Sequence, residues 1–301
     1  MKGISMRINM KALFSAILCY FMWGTLPAYW NLLSGYNPLL ILCSRIVFAF
    51  VFTAIFSMIT GRMKLLLETL RDKAAMRFLI PASILVTFNW GLYIWAVNSR
   101  RILDTTIGYY LCPLIAFLFG ILIFREKFSK LQLSAVALAF SGVLISVIAY
   151  GSFPFVSISL AVSFGAYGVM KKKAGADPIV GITVESMVMA PFALVFALVF
   201  IPESFITVTT SGALLLILSG VASAAPLVLY ARAVNQIDYI IVGFLQYLSP
   251  TITLIYGLIS GERPSASQIV SYVFIGLGLI VFSIALVRSS KENATATSLH
   301  N

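Results

Sequence analysis

The chain alternates long apolar runs with short polar breaks. Ten runs reach or approach the ~20 residues that a helix needs to cross ~30 Å of hydrocarbon: 12–33, 39–60, 78–97, 105–124, 132–150, 153–170, 179–201, 212–231, 239–260 and 267–287. The breaks leave no room for a soluble domain. The longest, Gly61–Arg77, is basic with Leu65, Leu66, Leu67 and Leu70 interleaved, a pattern that fits a short interfacial helix or a solvated connector equally well. Lys2, Arg7 and Lys11 precede the first run in the manner of a signal peptide. That run is too long, holds Trp23 and Trp30, and lacks a small-x-small cleavage site, so the expectation is a retained spanning helix.

Charge sets the expected orientation. If the N-terminus is inside, 17 of the 21 Lys and Arg fall in inner segments, three (Arg100, Arg101, Arg263) in outer loops, and Arg45 within a span. Basic residues mark the cytoplasmic side, so both termini are expected there.

The runs repeat. Leu92–Asn98 returns as Leu229–Asn235 with five of seven residues kept at an offset of 137, and Pro113 and Gly120 recur as Pro250 and Gly257. One residue out of step, Glu126, Ser129, Gln132 and Gly142 recur as Glu262, Ser265, Gln268 and Gly278. The chain therefore divides into residues 1–150 and 151–301, each with five runs. An odd number makes the second copy enter from the opposite side. The expected fold is an all-α integral membrane protein, ten transmembrane helices arranged as two inverted five-helix repeats. That architecture recurs in secondary carriers, whose sites lie near the midplane between the repeats.

Composition agrees: 60% of residues are hydrophobic and 10% charged, against ~25% charged in soluble domains. A net charge of +11 then reads as basic loops facing anionic membrane lipid rather than as nucleic-acid binding. The one histidine, His300, is next to the C-terminus, and Cys19, Cys43 and Cys112 lie far apart in apolar runs as core residues. Neither a phosphate loop nor a carboxylate pair nor a metal cluster is recognisable. The chain reads as no enzyme, with no cofactor; a lipid flippase, an intramembrane enzyme and a passive channel are the alternatives to a carrier.

Candidate residues follow from polar groups in apolar runs, which need partners or a wet cavity. Arg45 is seven residues after Pro38, and Glu185 seven after Pro178. The two would lie about 10 Å apart in depth, close enough for long side chains to meet as a structural pair or as a charge pair coupling transport to protons. Asn89, Trp90 and Tyr93, the repeat partner Tyr230, and Trp23 and Tyr167 in matched Tyr20-x-x-Trp23-Gly24 and Phe164-x-x-Tyr167-Gly168 segments mark either a substrate pathway or interhelical hydrogen bonds and packing. Tyr109, Gln246 and Tyr247 precede Pro113 and Pro250, each of which frees a carbonyl four residues back and makes either a ligand site or a packing kink. Asn37-Pro38 and Asp177-Pro178 read as helix starts, Ser129/Gln132 and Ser265/Gln268 as capping boxes, Asp104 and Asp238 as helix caps, and Arg100, Arg101 and Arg232 as interfacial.

Trp95-Ala-Val-Asn98, Gly108-Tyr-Tyr-Leu-Cys-Pro113, Gly243-Phe-Leu-Gln-Tyr-Leu-Ser-Pro250 and Tyr20-Phe-Met-Trp-Gly24 resemble the RarD-type, chloramphenicol-sensitivity branch of the EamA / drug-metabolite transporter superfamily, over residues 12–290. The resemblance implies a bacterial inner-membrane exporter of a small-molecule substrate, a metabolite or drug, with a central cavity between its halves. That family often has Gly before the Glu in the loops after its fourth and ninth helices; Gly261-Glu262 fits and Arg125-Glu126 departs.

Overall fold

The computed structural model describes residues 9–99, 101–259, 261 and 263–298; Lys2, Arg7, Arg100, Glu262 and His300 lie outside them. The helices are α1 (Met10–Asn31), α2 (Pro38–Ile59), α3 (Met63–Arg71), α4 (Lys73–Asn98), α5 (Ile102–Leu122), α6 (Lys130–Tyr150), α7 (Phe155–Ala174), α8 (Pro178–Phe200), α9 (Thr210–Gln236), α10 (Tyr239–Leu245), α11 (Leu248–Ile259) and α12 (Ala266–Ser298), with one 3-10 turn at Pro202–Phe205. Nine segments among the described residues are long and apolar enough to cross a membrane, α10 and α11 counting as one. The remaining long helix, α7, ends on Lys171, Lys172 and Lys173.

Local sequence explains most helix starts. Asn37 and Asp177 cap α2 and α8 through their side chains, with Pro38 and Pro178 in the first turn, where a missing N–H costs nothing. The boxes Ser129/Gln132 and Ser265/Gln268 are reciprocal at α6 and α12. Asp104 is a correction: α5 begins at Ile102, so Asp104 sits inside its first turn. There its carboxylate accepts from Arg101 Nε at 2.9 Å and Tyr150 Oη at 2.6 Å, tying α5 to α6. Asp238 occupies the α10 cap position without a capping bond from its side chain. Glu126 does that work instead, accepting from Tyr239 N at 2.6 Å and Ile240 N at 2.8 Å.

The 239–260 run is interrupted. Pro250 has no N–H and its ring crowds the carbonyl of Gln246, and the chain breaks between Leu245 and Leu248. The Gly61–Arg77 connection holds the short helix α3, whose Leu66 packs with Leu79 of α4 and Val180 and Val184 of α8. Met63, Leu65 and Leu67 remain exposed on it.

Bonds between loops define the two ends of the bundle. At the basic end, Asn9 donates to Gln236, Asn235 to the Ala176 carbonyl, and Lys172 to Glu126, while Arg62 Nε is 3.5 Å from Asp177. At the opposite end, Tyr36 bonds Thr209 and Asn37 bonds Ser204. Between the ends, α2 packs along α8, α4 and α5 along α7, α1 and α2 along α9, and α6 along α12. Small residues set the closest approaches. A Cβ on Gly142 of α6 would lie 2.7 Å from the Ser271 carbonyl, and one on Gly278 of α12 would lie 2.8 Å from the Ala135 carbonyl.

Candidate functional site

Two polar clusters lie one above the other along the bundle. The first surrounds Arg45 of α2. Its guanidinium lies over two indoles, 4.5 Å from the Trp30 ring centre and 4.1 Å from that of Trp90, and its Nε donates to Ser223 Oγ at 2.8 Å. Tyr93 and Tyr109, rings 5.8 Å apart, lie within reach of its charge. Arg45, Trp30, Trp90 and Tyr93 are half-buried, and Tyr109 is 45% exposed although it faces residues of other helices. An inward-facing yet exposed ring means that α1, α2, α4, α5 and α9 enclose a crevice around Arg45.

The second cluster closes the basic end. Lys171 Nζ of α7 donates to Glu185 Oε1 of α8 at 2.7 Å, and Tyr167 Oη donates to Glu185 Oε2 at 3.1 Å. Lys171 and Glu185 are 3% and 4% exposed. Burying both charges is tolerable because each meets the other at hydrogen-bonding distance. Aromatic rings pack above them. Tyr230 stacks on Tyr167 at 5.9 Å and meets Phe164 at 5.5 Å and Trp23 at 5.7 Å, while Tyr20 meets Trp23 at 5.6 Å. Trp23 and Phe164 are half-buried; Tyr20, Tyr167 and Tyr230 are buried. Exposure therefore falls from the Arg45 crevice to the Lys171–Glu185 pair, with Trp23 and Phe164 as the floor. A cavity of about 30 Å³, lined by Trp90, Ile46, Leu227 and Glu185 among others, separates the clusters. It has room for about one water and not for a solute.

Arg45 and Glu185, which the sequence allows to meet as a charge pair, do not pair in this structure. Each charge has its own partners, with Trp90 and the small cavity between them. Lys171, counted among loop charges, turns inward along α7 and takes Glu185. Of the other sequence candidates, Asn89 donates to the Leu160 carbonyl and Ser163 Oγ, and so serves the α4–α7 contact. Tyr247 and Gln246 are buried apart from the Arg45 group: Tyr247 packs on Tyr110 and Phe244, and Gln246 neighbours Cys112. Trp23, Trp90, Tyr93, Tyr109, Tyr167 and Tyr230 lie along the crevice or its floor. Sequence reasoning missed Trp30, Ser223 and Lys171. Only Lys171 had a signal, as the first of three lysines ending an apolar run. A larger cavity of about 320 Å³ opens between α11 and α12, lined by Leu254, Leu258, Arg263, Pro264, Gln268 and Tyr272. Among the described residues no three His, Cys, Asp or Glu converge to hold a metal. Cys19, Cys43 and Cys112 are free and buried.

Residues 10–148 and 153–284 each match the model of the EamA-like transporter family. The chain belongs to that family. Among relatives, an uncharacterised transporter of Bacillus subtilis (strain 168), YojE, is 39% identical over 94% of this chain and 98% of its own length. The protein RarD of Escherichia coli K12 is 29% identical, covering 93% and 96%. A RarD of Streptomyces exfoliatus is 32% identical over 77% of this chain and 74% of its own. These place the EamA-family chain in the RarD branch, as a membrane transporter and not an enzyme. One solved structure, described only as the crystal structure of a protein, superposes with a TM-score of 0.73 over 93% of this chain and 99% of that one at 15% identity, a likeness of fold alone.

Proposed function

We propose that this transporter is a secondary carrier of ten spanning helices in two inverted five-helix repeats, residues 1–150 and 151–301. It exports a small metabolite or drug by alternating access from a bacterial inner membrane, with both termini cytoplasmic. The carrying observation is an asymmetry of exposure along the pathway: the Arg45 cluster is half-buried beside the exposed ring of Tyr109, while the basic end is filled by buried rings and the Lys171–Glu185 pair. The packing supports the inverted relation. Exchanging the halves turns the α1–α9 contact into α7–α4, α2–α9 into α8–α4, and α1–α11 into α7–α5; α2–α8, α5–α10 and α6–α12 map onto themselves. If the halves trade conformations, the sealed end opens and the crevice closes.

In that second state Glu185 and Lys171 would meet water. Proton coupling then runs through Glu185, whose surroundings differ between the sealed state, where Lys171 pairs with it, and the hydrated one. Substrate and proton are coupled only if they favour different states.

Two measurements test this reading. In a cysteine-free background, single cysteines at Gly35 and Val208 should react with an impermeant reagent from the periplasmic side, and one at Ala174 from inside. Labelling of Ala174 from the periplasm ends the inverted-repeat reading. Ser186, buried beside the small cavity, is the probe of alternation. Ser186→Cys should react from either side of the membrane, and reaction from one side alone would count against alternating access.

A further inference from the structure

We infer that the crevice is built to receive a small organic acid, its carboxylate docked on Arg45 and its apolar body among the surrounding rings. The inference rests on the carrier reading of the crevice and names its substrate class.

An ionised side chain within a spanning helix is expensive, and such residues ordinarily find a counter-charge. Among the described residues the ion pairs within 4 Å engage Arg62, Lys64, Arg101, Lys171 and Lys172, and none engages Arg45. Its guanidinium lies over the Trp30 and Trp90 rings, and Nε is held by Ser223. Among the described residues, no protein acceptor bonds the edge that carries the two terminal nitrogens. That edge is a planar fork whose spacing matches the two oxygens of a carboxylate. The two indoles and Ser223 fix its plane, so little side-chain entropy is lost when a ligand binds.

The surroundings narrow the class. Among the described residues, Lys171 and Arg101 beside the pathway are paired with Glu185 and Asp104. One unpaired guanidinium suits a single negative charge better than a phosphate dianion. The acids beside the pathway, Glu185 and Asp104, are engaged by those two cations, which leaves neither of them to a ligand ammonium. The site therefore suits a simple acid rather than a zwitterion. Tyr93 and Tyr109 beside the fork, with Trp23 and Phe164 as the floor, supply the apolar wall for an aromatic or branched body.

The test uses the purified full-length protein and three probes of one shape: phenylacetate, neutral phenylacetamide and cationic phenethylamine. Three of the four tryptophans, Trp23, Trp30 and Trp90, lie along the crevice, so intrinsic fluorescence reports occupancy directly, with thermal shift as a second readout. Phenylacetate is expected to bind and stabilise, and the amide and amine to bind at least about tenfold more weakly. Binding should fade as pH falls through the acid's own ionisation. Arg45→Gln should weaken phenylacetate at least about tenfold while leaving the amide unaffected, and Arg45→Lys, a point charge without a fork, should recover only part. Equal responses to acid and amide in the wild-type protein, or none to the acid, overturn the inference whether or not the variants fold. The carrier reading is judged separately, by the two-sided reactivity of Ser186→Cys.

Discussion

Tyr247 Oη donates to the carbonyl of Tyr110 at 3.1 Å, and the two rings stack with centres 6.4 Å apart. The two residues are 137 positions apart, the offset at which the sequence repeats. Repeat partners that touch must lie beside the axis relating the proposed halves, so this pair clamps α5 to the broken α10–α11 segment. Tyr247→Phe removes one buried hydrogen bond and should cost about 1 kcal/mol. Tyr247→Ala also deletes the ring from its contacts with Tyr110 and Phe244 and should cost about 3–5 kcal/mol. Chemical denaturation in detergent should rank the two variants in that order.

Glu126 is the cap of a helix 113 residues away. Its carboxylate takes the N–H groups of Tyr239 and Ile240 and the Lys172 ammonium at 3.0 Å. Glu126→Ala orphans two helix-start donors and leaves the Lys172 ammonium with the Ile237 carbonyl in place of a carboxylate, and should cost about 2–3 kcal/mol. Glu126→Gln keeps an acceptor and should lose less. Equal melting temperatures for the alanine variant and wild type would show that water caps α10 as well as Glu126 does.

Next to it, Arg125 is the one described non-glycine residue with positive φ, at 54°. The matching residue of the second half is Gly261, φ 90°. The family's preference for glycine here thus has a backbone cause: the chain leaves the helix through the left-handed region, where a Cβ is strained. Arg125 is exposed, so no packing is lost on substitution. Arg125→Gly should raise stability by roughly 0.5–1 kcal/mol, and Gly261→Ala should lower it by a similar amount. A lower melting temperature for Arg125→Gly would count against strain at this turn.

Much of this was legible in the sequence. Apolar run length placed the spanning helices because every backbone polar group in lipid must be paired within a helix. Asn37, Asp177 and the two Ser/Gln boxes declared their helix starts because capping is local chemistry. Matching the halves pairs Tyr93 with Tyr230, at the repeat offset of 137. What failed was partner choice. Glu185 was assigned to Arg45 by depth alone, while a lysine on the adjacent hairpin arm could reach it first. Asp238 stood at a cap position but Glu126, far away in sequence, filled it. Ser223 and Trp30 gave no signal, because their role exists only once α1, α2 and α9 converge on one guanidinium.

Gly276 and Gly278 lie two residues apart on α12 and should respond oppositely to alanine. A Cβ at Gly276 meets nothing within 4 Å, whereas one at Gly278 would lie 2.8 Å from the Ala135 carbonyl of α6. Gly276→Ala should gain up to about 1 kcal/mol of helix propensity. Gly278→Ala must push α6 and α12 apart and should lose about 1–3 kcal/mol. The reverse order of melting temperatures would mean that the two helices are less closely packed than their glycines imply.

The Lys171–Glu185 pair separates folding from transport. In this arrangement, removing Arg45 strands no carboxylate, whereas removing Lys171 leaves Glu185 buried with only the Tyr167 hydroxyl. Breaking a buried pair from one side typically costs about 3–5 kcal/mol, and replacing both partners by apolar residues of similar volume is often neutral. Lys171→Met should therefore reduce the folded yield sharply, and Lys171→Met/Glu185→Leu should restore it. If Glu185 carries the coupling proton, the restored double variant and Glu185→Gln should both lose transport driven by a proton gradient. Both should still bind substrate and exchange it across proteoliposome membranes. Gradient-driven transport at the wild-type rate in Glu185→Gln would leave the pair a structural seal of the closed end. A double variant no better folded than Lys171→Met would mean that the two charges are not each other's principal partners.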